Sequence, residues 1–176
     1  QEVPGAVEKT KKGCGCGYSS LYNVGILEGE AGASVQLQTI QGIRYGKWFT
    51  GIGVGLDYYH LRGIPLFLDM RHTILKTKHS PFIYADGGVH FAWPTDQDKG
   101  TNGSNSFSDG LFYDLGLGYR MAIGKGAFLV SAGYSYKYIK EERIGFRCLG
   151  WDCTWETREY FKYKLNRLSL KFGMQL

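Results

Sequence analysis

The stretch NRLSLKFGMQL, at residues 166–176, keeps a strict two-residue period. Leu168, Leu170, Phe172, Met174 and Leu176 alternate with Ser169, Lys171, Gly173 and Gln175. A helix repeats every 3.6 residues and scatters such a set around its axis. A strand sends successive side chains to opposite faces, so the pattern specifies a strand with one apolar and one polar face. The same period recurs along most of the 176 residues. It predicts eight strands, at about 18–28, 34–45, 49–60, 63–75, 81–93, 109–123, 126–140 and 159–176. The apolar faces carry sets such as Ile52, Val54 and Leu56, or Leu111, Tyr113, Leu115 and Leu117. Alternation is poor only in the second strand, where Thr39 and Gln41 share a face with Val35, Leu37 and Ile43.

The connections alternate as well. GKW (46–48), KTKHS (76–80) and GKG (124–126) are short. The segments 94–110 and 143–157 read as long loops, and EGEAGA (28–33) and HLRGI (60–64) as intermediate ones. In an up-and-down meander the short turns then fall at one end and the longer connections at the other. Twenty-six glycines, 15% aromatics and four prolines favour strands and tight turns over helices. Residues 1–17 show no apolar period and read as a lead-in to a barrel domain at 18–176. No stretch approaches the ~20 apolar residues of a membrane helix, a test that β-barrel strands do not meet either. The net charge of +5 comes from cations spread along the chain, which does not point to nucleic acid.

Alternation alone leaves open which face meets water. A soluble barrel puts the apolar face inside, and a transmembrane barrel puts it outside. Three features favour the transmembrane form. The polar face is rich in glycine (Gly51, Gly53, Gly55, Gly88, Gly116, Gly118, Gly133, Gly173), which weakens a water-facing strand but makes room in a narrow bore. It also carries both signs of charge, as a closed lumen requires. The set is Asp57, Asp69, Asp86 and Asp114 with Arg71, Arg120, Lys137, Arg167 and Lys171, and His90 lies on the same face. The apolar face is bounded by Tyr58, Trp93, Tyr113, Tyr134, Tyr136 and Tyr138, as an interfacial girdle would be. The expected fold is therefore all-β: an eight-stranded antiparallel up-and-down transmembrane β-barrel. A barrel of this size is filled by its own side chains, so an open porin channel is not expected.

The cysteines form two close pairs, Cys14 with Cys16 and Cys148 with Cys153. Neither spacing matches a zinc site and no histidine is near, so no metal or other cofactor is expected. A local Cys148–Cys153 disulfide is expected in an oxidising compartment. For catalysis, a hydrolase needs Ser, His and an acid within hydrogen-bond reach. His79–Ser80 falls in a short turn. His90 and Asp86 are separated by about 13 Å of strand. His60 has no local serine, and no catalytic residue is assigned.

The chain resembles small outer-membrane β-barrel proteins of Gram-negative bacteria, most closely those of the Bacteroidota. The resemblance rests on TGIGVGLDYY (50–59), PLFLDMRHTIL (65–75), SPFIYADGGVHF (80–91), FYDLGLGYRM (112–121) and KLNRLSLKFGMQL (164–176). It implies an outer-membrane location with periplasmic termini and short turns, and extracellular long loops. It also implies that the last strand, with Leu168, Leu170, Phe172, Met174 and Leu176, serves as an insertion signal for the barrel-assembly machinery, although it closes on leucine rather than an aromatic. Lys140, Lys162 and Lys164 would lie near the outer rim, either within reach of lipopolysaccharide phosphates or as solvated loop charges. Phe146, Leu149, Trp151 and Trp155 would either form a contact loop for another protein or a glycan or pack against the loop itself or the membrane rim. The expected role is a non-enzymatic structural or accessory subunit of a larger outer-membrane complex. The alternatives are a lipid A- or phospholipid-modifying enzyme and a conduit for small apolar solutes.

Overall fold

A computed structural model describes residues 16–30, 32–95, 105–149 and 152–176, with backbone alone at 105, 144–149 and 152–157. The described strands are β1 (Cys16–Gly29), β2 (Gly32–Tyr45), β3 (Trp48–Asp57), β4 (Gly63–Thr73), β5 (His79–Ala92), β6 (Asn105–Ser108), β7 (Gly110–Ile123), β8 (Gly126–Leu149) and β9 (Asp152–Gln175). Each pairs antiparallel with its neighbour in one sheet. The sheet closes where β9 returns to β1, from Leu21 opposite Gln175 to Gly29 opposite Arg167. β6 and β7 share one position in the wall. β7 pairs with β8 as far as Phe112 opposite Lys137, and β6 takes over at Ser108 opposite Lys140. The result is the expected closed barrel of eight strand positions.

The tight turns follow from local chemistry. Gly46–Lys47 and Gly124–Lys125 are two-residue hairpin connections, with φ of 60° at Gly46 and 57° at Gly124. That left-handed backbone suits the twist of the flanking strands and is accessible to glycine at little cost.

Four expectations about the other end need correction. EGEAGA is not an intermediate loop, because Gly29 pairs with Gly32 and only two residues turn the chain. The third strand stops at Asp57, and Tyr58–Arg62 forms a loop in which Asp57 Oδ1 accepts the Tyr59 amide at 2.8 Å. The 94–110 segment contributes β6. Most of 143–157 is not a loop at all. β8 and β9, each of 24 residues, stay paired out to Leu149 opposite Asp152. A tilted strand crosses a membrane in about 9–11 residues, so this hairpin stands well beyond the barrel wall. It escapes a periodicity search because the two-residue alternation read from the sequence stops near 140 and resumes near 159. Its backbone pairing carries the strands through the gap.

The outward face is apolar over the wall, with Leu68, Leu117 and Leu168 exposed at 65%, 66% and 66%. Exposed apolar area encircling a whole sheet far exceeds what water tolerates on a monomer, and it matches the hydrocarbon band of a bilayer. Aromatics ring it at both ends. Trp93, Tyr113, Tyr134 and Tyr136 lie at the loop end, where Tyr113 stacks on Tyr136 at 4.9 Å. Tyr18, Tyr45, Trp48 and Tyr119 lie at the short-turn end.

The inward glycines make room for inward aromatic rings. A Cβ added to Gly53 would press into the Phe67 ring, and one added to Gly118 into the Phe82 ring. Gly53→Val should therefore lower the stability of the barrel by about 1–3 kcal/mol in urea unfolding from micelles. Gly87→Val, where an added Cβ meets nothing within 4 Å on the outer face, should leave it unchanged. Leu68→Arg, in the middle of the outward face of β4, should cost about 2–4 kcal/mol in lipid vesicles, and unchanged stability there would contradict the lipid-facing assignment.

Candidate functional site

Nine of the ten polar residues expected inside the barrel are buried there, and eight of those nine form two ionic clusters. The first spans β4, β5, β7 and β9. Asp69 lies opposite Asp86, and Asp86 opposite Asp114, so three carboxylates stand side by side across the wall. Like charges directly opposed destabilise a sheet unless cations intervene. Arg71 grips Asp69 through Nε at 3.0 and 2.9 Å and Nη2 at 2.8 Å. Lys171 Nζ sits 3.2 Å from Asp86 and 2.9 Å from Asp114, above the Tyr84 ring. Tyr84 Oη donates to Asp114 Oδ1 at 2.8 Å, and Ser169 Oγ donates to the same oxygen at 3.2 Å.

The second cluster has one acid and two bases. Arg167 Nη1 donates to Asp57 Oδ2 at 2.6 Å, and Lys137 Nζ lies 3.6 Å from the same oxygen. Lys137 also donates to the carbonyls of Tyr59 at 3.2 Å and Leu61 at 2.7 Å, and Arg167 to Ser135 Oγ at 2.8 Å. The Tyr58–Arg62 loop is thereby drawn over the lumen, with the Tyr59 and Leu61 side chains buried and the Arg167 guanidinium over the Tyr59 ring. Across the two clusters four carboxylates face four cations, so the buried charge closes to neutrality.

The other two expected residues lie apart. His90 is fully buried, and neither ring nitrogen has a hydrogen-bond partner among the described residues. Arg120 is half-buried at the short-turn end, where its Nε and Arg44 Nη2 both donate to Gln175 Oε1 at 3.2 Å. Sequence reasoning missed Arg44 because it ends the strand with the poorest alternation. It also missed the apolar interior, a cluster of Leu21, Ile40, Phe49, Phe67, Phe82, Tyr84, Phe112 and Leu129. The signal was present as unbroken apolar runs, since Phe67 sits between Leu66 and Leu68, and Leu129 between Phe128 and Val130. Where both faces are apolar, period two disappears.

The remaining histidines lie apart from one another. His72 packs on Trp48 at 4.5 Å, His79 is exposed at the start of β5, and His60, at φ 59°, packs on Tyr163 at 5.1 Å. Tyr163 in turn donates to Glu141 at 2.9 Å, and Arg143 binds the same carboxylate at 2.6 and 3.0 Å. Burial alone would raise the Glu141 carboxyl, but these hydrogen bonds hold it below its ordinary value. Lys140 and Lys162 are directly opposed on the hairpin, two register steps from Lys164 opposite Tyr138. Leu168, Leu170, Phe172, Met174 and Leu176 all face outward. Cys148, Phe146 and Leu149 fall in β8 and Cys153 and Trp155 in β9, but their side chains, like Trp151 and Cys14, lie outside the described residues. Cys16 opens β1 at the opposite end of the barrel from the hairpin tip.

A closed antiparallel barrel with an apolar exterior and a neutralised ionic interior is the architecture of a small transmembrane β-barrel. Three solved structures share it, each at low sequence identity. Neisserial surface protein A matches at a TM-score of 0.56 and 10% identity, over 92% of this chain and 96% of that one. AlkL, an outer-membrane protein solved in lipid bilayers, matches at 0.55 and 12%, over 99% and 95%. The N-terminal β-barrel domain of Pseudomonas aeruginosa OprF matches at 0.52 and 12%, over 90% and 97%. The chain therefore has the fold of the small eight-stranded outer-membrane barrels. No protein-family model matches it, and neither does any curated protein sequence.

The Asp57 cluster gives a direct test of the ionic interior. Asp57→Ala strands two buried cations and should cost about 3–5 kcal/mol in urea unfolding. Adding Lys137→Met to that variant should recover part of the loss, because one of the stranded charges is gone.

Proposed function

We propose that the protein is a non-enzymatic barrel of a bacterial outer membrane, of the Bacteroidota type, serving as a structural or accessory subunit of a larger outer-membrane assembly. The observation that carries this reading is the β8–β9 hairpin. Beyond Arg167 the outer edge of β9 pairs with no strand among the described residues. An open edge above a membrane is a template for pairing with another chain. Phe146, Leu149, Trp151 and Trp155 fall toward its tip, where a Cys148–Cys153 disulfide would stiffen the contact surface.

In this reading the termini and short turns are periplasmic and the hairpin is extracellular. The β9 strand from Leu168 to Leu176 is what the assembly machinery engages during insertion. Lys140, Lys162 and Lys164 face lipopolysaccharide phosphates just above the apolar band. The interior supports a scaffold role: its cations and acids are spent on one another, and the four histidines are dispersed.

Extraction in mild detergent should co-purify a larger outer-membrane protein in fixed ratio. Deleting residues 144–157 should release that partner while the barrel still folds, as read by its heat-modifiable gel mobility. A protein that runs alone in mild detergent, together with altered acyl chains on lipid A in a deletion strain, would replace this reading with the enzymatic one.

A further inference from the structure

We infer that the short-turn mouth of the barrel is a binding site for a phosphate-class oxyanion. This goes beyond the scaffold reading and does not depend on it. Arg71, Lys137, Arg167 and Lys171 each have a carboxylate within 4.0 Å. Arg44 and Arg120 have none among the described residues. Their side chains converge on a single neutral oxygen, Gln175 Oε1, from opposite sides of the lumen. Two guanidinium groups drawn to one point repel each other, and Gln175 supplies one acceptor where a pair of cations could engage several.

The surroundings add positive charge and hydroxyl donors without neutralising it. Arg44 and Arg120 line two adjoining hollows of about 370 and 270 Å³. Lys125, Leu176 and Ser19, whose hydroxyl donates to the Leu176 carbonyl at 3.0 Å, are among the residues lining the first, and Lys47, Thr73, Lys76 and Thr77 among those lining the second. Lys47 donates to the Ile74 carbonyl at 2.6 Å, which holds it at the rim. Among the described residues no Asp or Glu side chain lines either hollow. The floor is made by Leu21, Phe49, Phe82 and Leu129 from the interior cluster, with Thr73 and with Arg71, whose charge is already matched by Asp69. The mouth is thus a dead-ended cup rather than the entrance to a channel.

A forked guanidinium presents parallel donors that match the oxygens of a phosphate group, and two of them around a partly desolvated cup select a compact, multiply charged anion. The phosphate could belong to a free ion or to a lipid headgroup at the adjacent bilayer face. Both present the same oxygens to Arg44 and Arg120.

The test uses the full chain, with inorganic phosphate and a short-chain phosphatidic acid as separate probes in nonionic micelles. Binding is followed by ³¹P line broadening and by the Nε–H signals of Arg44 and Arg120. Saturable binding of either probe, with both arginine signals shifting, is expected. Response to inorganic phosphate identifies a free-ion site, and response to the lipid alone identifies a headgroup site. Arg44→Gln with Arg120→Gln should weaken binding at least tenfold, while Arg62→Gln, beside Trp93 at the far end, should not. No saturable response from either probe, or arginine signals that stay fixed while phosphate binds elsewhere, overturns the proposal. The wild-type arginine signals decide the matter even if the double variant does not fold.

Discussion

The bilayer core offers no water to an unpaired amide, and every other feature of the wall follows from that constraint. β9 must meet β1, because an open seam would leave two rows of backbone groups unsatisfied in hydrocarbon. Closing eight strand positions fixes a narrow bore, and a narrow bore cannot take a large side chain at every inward position. Glycine and aromatic residues are therefore paired across the wall, Gly53 with Phe67 and Gly118 with Phe82. The polar groups left inside cannot rely on solvent and must satisfy one another. Asp57, Asp69, Asp86 and Asp114 meet Lys137, Arg167, Arg71 and Lys171 for that reason.

Much of this is legible in the sequence because two environments alternate along each strand. Where Leu68 faces lipid and Asp69 faces the bore, a two-residue period records the fold directly. The glycine-rich, mixed-charge face separates a membrane barrel from a soluble one. Legibility fails where the environments do not alternate. Phe67, Phe112 and Leu129 face inward but are as apolar as their lipid-facing neighbours, so the interior cluster is hidden inside runs such as PLFL. The outer parts of β8 and β9 are paired strand to strand although their sequence shows no two-residue period, so the segment reads as loop.

The site is legible in composition but not in partnership. The acids and bases of the lumen can be named from their face alone. Which acid holds which base depends on register across strands far apart in sequence, such as Asp57 with Arg167. Spacing along one strand contains no trace of that pairing. The same holds for Arg44 and Arg120, which meet at Gln175 from three different strands.

The two features at the loop end differ in how they could be exchanged between barrels. The Tyr58–Arg62 loop is held from below, through Lys137 to the Tyr59 and Leu61 carbonyls and through Arg167 over the Tyr59 ring. A loop transplanted into that position would arrive without its anchors and leave buried charges unmatched. The outer part of the β8–β9 hairpin, beyond Arg143 and Glu159, is paired only within itself among the described residues. It behaves as a detachable module, so variation and engineered grafts at this end should be accommodated on the hairpin while the capping loop stays bound to the interior it covers.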